Sequence, residues 1–151
     1  MKITTLNSPA TEAAIAACER RIGRPIPTAY RAFLAKHNGG TPQPATFAFV
    51  DDAGATASSI NEFLSVGADY ESIEKYLAVF GTRVSSDLFP IANDPGGNLV
   101  LIGTGAENDG RIFFWDHDFE ADDGETPDYS NVYPVAESLD AFLAALSDDE
   151  R

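Results

Sequence analysis

The sequence predicts an α+β domain with a mainly antiparallel sheet, a helix pair at the N-terminus, one helix in the middle and one at the C-terminus. Three observations predict it. Apolar residues recur at helical spacing in four separate stretches, and two runs, 98–103 and 111–116, are apolar on both alternating faces. The connector between those runs, with Gly105 and Gly110, suits an antiparallel hairpin with a longer loop. A chain of 151 residues fits one domain, 1–151, that buries about 70% of its unfolded surface.

The first helix is expected in "NSPATEAAIAACERRIG", with Ser8 as N-cap, Pro9 in the first helical position, Ile15, Cys18 and Ile22 on one face and Gly23 as the stop. A second begins near Pro27. Tyr30, Phe33, Leu34 and His37 share a face, and Asn38, Gly39 and Gly40 supply a left-handed cap. Pro42 and Pro44 then mark a connector, and "TFAFV" (46–50) has the period-2 alternation of a strand. "DDAGATASS" is expected as a turn or loop and "INEFL" as a second, weaker strand. The middle helix is expected in "DYESIEKYLAVFG", where Tyr70, Ile73, Leu77 and Phe80 repeat at helical spacing. "LFPIA" then leads into a Pro-Gly-Gly-Asn turn. The strands 98–103 and 111–116 follow, each predicted central in the sheet, then "NVYPV" as one more strand and "LDAFLAAL" as a last helix capped by Ser138. The predicted order is ααββαβββα.

Charge narrows the partners. The net charge is −14, but residues 1–36 carry six basic and two acidic side chains, so the acidity lies in the rest of the chain. Seven carboxylates, Asp116, Asp118, Glu120, Asp122, Asp123, Glu125 and Asp128, follow one another with no Lys or Arg between them. Such a surface repels phosphates, which excludes nucleic acid, and favours a basic protein. No apolar run reaches the roughly 18 residues of a membrane span. The single cysteine and the absence of a signal-peptide pattern lead us to expect a cytoplasmic protein, monomeric or weakly dimeric.

Residues fit for catalysis are few. Cys18 falls on an apolar stripe as a buried structural thiol, and His37 sits at a helix end where the dipole favours it. Asp94, Asp116 and His117 are the residues a small metal-dependent enzyme would use. Strand alternation, however, sends Asp116 and Asp118 to one side and His117 to the other. The acidic run misses a calcium loop because Asp123 stands where the bend needs glycine and Gly124 comes one residue late. The Pro-Gly-Gly-Asn turn lacks the Lys and the following helix of a phosphate loop; Gly96 and Gly97 are expected to permit positive φ, with Asn98 bonding back to the turn. We expect no cofactor and no catalytic residue.

Three stretches in order, "RPIPTAYRAFLAKHNGG" (24–40), "LFPIANDPGGNLVLI" (88–102) and "GRIFFWDHDFE" (110–120), resemble the SUKH superfamily of Smi/Knr-type proteins. The resemblance spans about residues 10–146. It implies an α+β fold without catalytic machinery, used in bacteria mostly for immunity proteins that neutralise a cognate polymorphic toxin, often a nuclease; fungal relatives are regulatory scaffolds. It makes Tyr30, Asn38, Gly39, Gly40, Gly96, Gly97, Asn98 and Trp115 mostly architectural. Ile26 and Pro95 depart from the family's usual Leu and small or polar residue. The partner-binding residues expected on this basis are Asp116, Asp118, Phe119, Glu120, Asp122, Asp123, Glu125, Asp128 and Tyr129, the aromatic pair acting as anchors beside the charges. Trp115 is a third aromatic candidate, although a strand apolar on both faces places it in the core.

Overall fold

A computed structural model describes residues 1–67 and 71–148. The elements are β1 (Lys2–Thr4), α1 (Glu12–Ile22), α2 (Thr28–Lys36), β2 (Thr41–Gln43), β3 (Thr46–Asp51), β4 (Gly54–Ser59), β5 (Glu62–Phe63), α3 (Ile73–Phe80), β6 (Leu88–Asn93), β7 (Leu99–Gly103), β8 (Ile112–Trp115), β9 (Val132–Ala136) and α4 (Leu139–Ala145), with a 3-10 turn at His117–Phe119. Every strand pair is antiparallel: β5-β6-β7-β8-β9 form one sheet, and β1-β2 and β3-β4 are separate ribbons. The fold is α+β.

The doubly apolar strands lie where their pattern requires. Val100, Ile102, Ile112 and Phe114 face a large core shared with α1, α2, α4 and the β3–β4 hairpin. Their alternates Leu99, Leu101, Phe113 and Trp115 face a smaller cluster with Val84, against which Tyr76 and Phe80 pack. Every residue of β6, β7 and β8 is buried. Cys18 is fully buried, as expected, and burial pushes its thiol up to about 12, with Glu74 adding to the shift.

Several elements differ from their sequence patterns. The first helix starts later than Ser8, with Thr11 as the N-cap accepting from the Ala14 amide. The Ala10 amide is taken by the Leu34 carbonyl at 2.9 Å, which keeps 8–10 out of the helix. "GATASS" is strand β4 and not a loop: its inward side chains are the small polar Thr56 and Ser58, so no apolar alternation announces it. "LFPIAN" is a full strand, β6, hidden by Pro90; a register shift between Pro90 and Ala92 accommodates the missing donor. The Thr41–Gln43 connector pairs with β1. The middle helix starts at Ile73 and is capped by Ser72, whose hydroxyl accepts from the Lys75 amide, and Tyr70 lies outside the described residues.

Two family-motif positions carry this packing. The Tyr30 hydroxyl, fully buried on α2, reaches the carbonyl oxygens of Leu64 and of Ile91 (3.1 Å), so one side chain ties α2 to the β5 segment and to the irregular turn of β6. After α2, His37 forms the cap in extended conformation, and the Asn38 side chain binds both polar groups of the Val66 backbone, at 2.9 and 3.2 Å. Gly39 and Gly40 do not close the helix as a left-handed cap. They pass beneath other backbone, where a Cβ would come within 2.8 Å of the Phe63 carbonyl and 2.7 Å of the Thr4 carbonyl.

Tyr30→Phe removes the hydroxyl and leaves the packing of the ring. It should destabilise the fold by about 1 to 2 kcal/mol, read as a lower urea midpoint with an unchanged denaturant slope.

Candidate protein-binding surface

The turn between β6 and β7 is organised by one carboxylate. Asp94 Oδ1 accepts from the backbone amides of Gly96 (2.9 Å) and Asn98 (2.8 Å), while Oδ2 accepts from the Ser58 hydroxyl (2.8 Å) and the Asn98 side-chain amide (3.0 Å). Four donors satisfy a buried charge, and Ser58 brings β4 onto the turn. Only Gly97 of the two glycines has positive φ, +88°; the expectation for Gly96 is corrected, because its own amide is held by Asp94 in ordinary backbone geometry. A Cβ on Gly97 would touch the His117 ring at 3.4 Å.

Asn98 carries the order onward. With its amide nitrogen given to Asp94, its oxygen accepts from the His117 backbone amide (3.0 Å) and lies 2.6 Å from His117 Nδ1. The chain therefore leaves β8 into a tight turn rather than continuing as a strand. Asp116 caps that turn by accepting from the Asp118 amide at 3.0 Å, and Asn131, just before β9, fastens it by donating to the Asp116 carbonyl at 2.9 Å. This corrects the expectation from alternation: ligand-capable atoms of Asp116, His117 and Asp118 lie within 4.8 Å of one another. Asp94 does not join them, because both its oxygens are committed.

Past this turn the acidic residues divide. Glu120 is held by Arg83 through two bonds, 2.9 and 2.7 Å, and Arg83 in turn stacks over Phe80 at 4.6 Å. The Arg83 guanidinium lowers the Glu120 pKa below the usual carboxylate range. Asp128 is exposed but closes its own loop, accepting from the Ser130 amide and hydroxyl, whose hydrogen bonds lower its pKa. Asp118, Asp122, Asp123 and Glu125 are exposed. Among the described residues, Arg or Lys bridges to the stretch 116–128 are confined to Glu120.

The aromatic candidates separate too. Trp115 is 1% exposed, in the core, with Phe80 edge-on at 5.7 Å. Phe119 is 67% exposed on the 3-10 turn. Tyr129 is 40% exposed, but its hydroxyl binds Asp87 (2.8 Å) and Asn108 (2.7 Å), and burial followed by the Asp87 bond pushes its pKa up to about 12. Sequence reasoning missed the hairpin tip. Tyr133 donates to Asp52 at 3.2 Å, and Asp52, Asp116 and Asp51 all raise its pKa after burial does, so the tip is part of the same acidic surface. Nothing in the local sequence signals that, since β3 and β9 are far apart in the chain.

Fold and site together define an α+β scaffold bearing a layer of hydrogen-bonded acidic loops at one end of its sheet. The chain belongs to the SMI1 / KNR4 family (SUKH-1), whose sequence pattern matches residues 9–145. It is similar to the SPbeta prophage-derived uncharacterized protein YokK of Bacillus subtilis (strain 168), with 24% identity over 146 residues, covering 87% of this chain and 71% of that protein. Among the described residues no helix is long and apolar enough to cross a membrane.

Asp94→Ala leaves four donors without their acceptor and should cost about 2 to 4 kcal/mol in unfolding free energy, with the His117 ring resonances broadening as the Asn98 link loosens. The Arg83–Glu120 pair is partly solvated and contributes about 1 kcal/mol or less. A lowered carboxylate pKa stabilises above the unfolded value of 4.5 and is lost as pH falls below it. The stability gap between the parent and Glu120→Gln should therefore be constant near neutrality and close on acidification below that value, as followed by denaturation at a series of pH values.

Proposed function

We propose that this protein is an immunity protein, which binds a cognate bacterial polymorphic toxin with a basic, nuclease-type surface and neutralises it without catalysis. The observation that carries the reading is the exposed set Asp118, Asp122, Asp123 and Glu125, displayed between side-chain anchors at Asp116, Glu120 and Asp128. Membership of a family whose domains are often immunity proteins, and generally non-catalytic, supports it.

The physics suits that role. An inhibitor sharing a cell with a lethal enzyme must capture it fast, and complementary charge raises association rates to about 10⁸ to 10⁹ M⁻¹s⁻¹ at low salt. The same carboxylates disfavour nucleic acid, so the protein competes for the toxin's substrate-binding charge without binding the substrate. In this reading Phe119 is the anchor that binding desolvates, since it is exposed on the same turn and a few buried aromatics carry most interface energy. Tyr129 contributes its ring edge, its hydroxyl being committed to Asp87 and Asn108.

Co-expression with the cognate toxin domain should give survival and co-purification. Replacing Asp118, Asp122 and Asp123 by Lys should slow association by about tenfold or more at low salt and flatten its dependence on ionic strength. Stopped-flow rates across a salt series test this, and rates unaffected by the triple change would place the interface elsewhere.

A further inference from the structure

The edges of the sheets are not equally protected. β5 is two residues long and bridged to Gly40, β9 carries Pro134 and a register shift against β8, and β1 has three residues. Short strands, prolines and bulges are the usual guards against unwanted pairing. β4 has none of them. It runs six residues, "GATASS", with no charge, no proline and an unbroken register from Gly54 opposite Asp51 to Ser59 opposite Thr46. Among the described residues its one strand neighbour is β3.

The direction of its free groups follows from the register. The Ile60 amide donates to the Ala45 carbonyl at 2.9 Å, so the alternation of an antiparallel pair turns Gly54, Thr56 and Ser58 towards β3. Ala55, Ala57 and Ser59 present their N–H and C=O groups to the outside. Two surfaces flank that row. On the outer face a depression of about 480 Å³ is lined by Ala48, Val50, Ala55 and Ala57, with Val50 65% exposed. Beside the edge a groove of about 430 Å³ separates Ala57–Ser59 from the Asp94–Gly96 turn. The groove borders the acidic surface, because Ser58, Asp94, Asn98 and His117 are joined in one chain of hydrogen bonds; at the other end of β4 the hairpin tip carries Asp51 and Asp52.

We propose that the free edge of β4 is a strand-docking site for an extended segment of a basic protein partner, in which apolar residues alternate with Lys or Arg. This rests on the reading of the acidic loops as an interface for a basic protein, and adds how the partner is gripped. Backbone hydrogen bonds to Ala55, Ala57 and Ser59 provide affinity; the strand's period of two sends apolar side chains to Val50 and the alanines and basic ones to the carboxylates. Charge complementarity selects this occupant over a second copy of the chain. Two copies joined at β4 would bring together molecules of net charge −14, with acidic hairpin tips near the seam.

The test uses the whole chain and a short synthetic peptide alternating valine and lysine, beside an equally charged version N-methylated on alternate amides. Amide exchange followed by NMR should slow at Ala55, Ala57 and Ser59 by about fivefold or more with the first peptide and stay unchanged with the second. Ala57→Pro removes an outward donor that β3 does not use and should abolish the effect; the measurement on the unaltered protein stands whether or not that variant folds. Resonance shifts confined to Asp118, Asp122 and Asp123, with no protection on β4, would overturn strand docking and leave the acidic interface intact. A response at neither place counts against both. Protection by both peptides, or concentration-dependent self-protection without peptide, also overturns the proposal, the latter in favour of a dimer.

Discussion

The rest of the surface depends on the Asp94 carboxylate, buried and surrounded by four neutral donors. A charge removed from water costs several kcal/mol unless its lone pairs are filled. Here they are filled by two amides of its own turn, one side-chain amide and a hydroxyl from β4. That solution is geometrically demanding, and the demand has a structural consequence. The four bonds hold the turn in this shape, Asn98 is oriented by it, and the side-chain oxygen of Asn98 then dictates where the chain leaves β8 at His117. One side chain thus fixes the relative placement of the hairpin, the β6–β7 turn and the start of the acidic loop.

This arrangement reconciles a rigid core with a strongly acidic exterior. Like charges on a flexible loop would spread it and cost entropy on binding. The acidic residues nearest the sheet instead act locally: Asp116 caps the 3-10 turn, Asp128 closes its own loop and Glu120 is pinned by Arg83, itself stacked on Phe80. These anchors hold the backbone, and the charges between them, Asp118, Asp122, Asp123 and Glu125, face solvent. The division is between carboxylates that shape the loop and carboxylates that give it its field.

What the sequence made legible follows the strength of its periodic signals. The strands β7 and β8, the face of α2 and the cap of α4 were readable because each residue type served one role throughout its element. β4 was not readable, since alanine outside and small hydroxyls inside give no contrast at period two. β6 was obscured by Pro90, a strand breaker whose cost is absorbed by a local register shift. The acidic surface was legible as composition, whereas its membership was not. Glu120 and Asp128 looked like free charges and are tied down, while Asp51 and Asp52 joined through Tyr133, a contact between residues far apart in the chain. His117 shows the same limit: alternation held only as far as Trp115, where a side chain from another turn captured the next amide.

The weakness of β4 as a sequence signal and its exposure as an edge have one origin. A strand that packs only small side chains cannot bury much area, so it is held by its pairing with β3 and by the Ser58–Asp94 bond rather than by a core of its own. Larger apolar residues on its outer face would stabilise the hairpin and make the edge sticky towards every exposed strand, copies of itself included. Charged residues would guard it and close it to all partners. Small neutral residues beside a field of carboxylates are a third solution, in which discrimination passes from the edge to the surrounding charge: acidic chains are repelled before they arrive, and a basic one meets an accessible backbone.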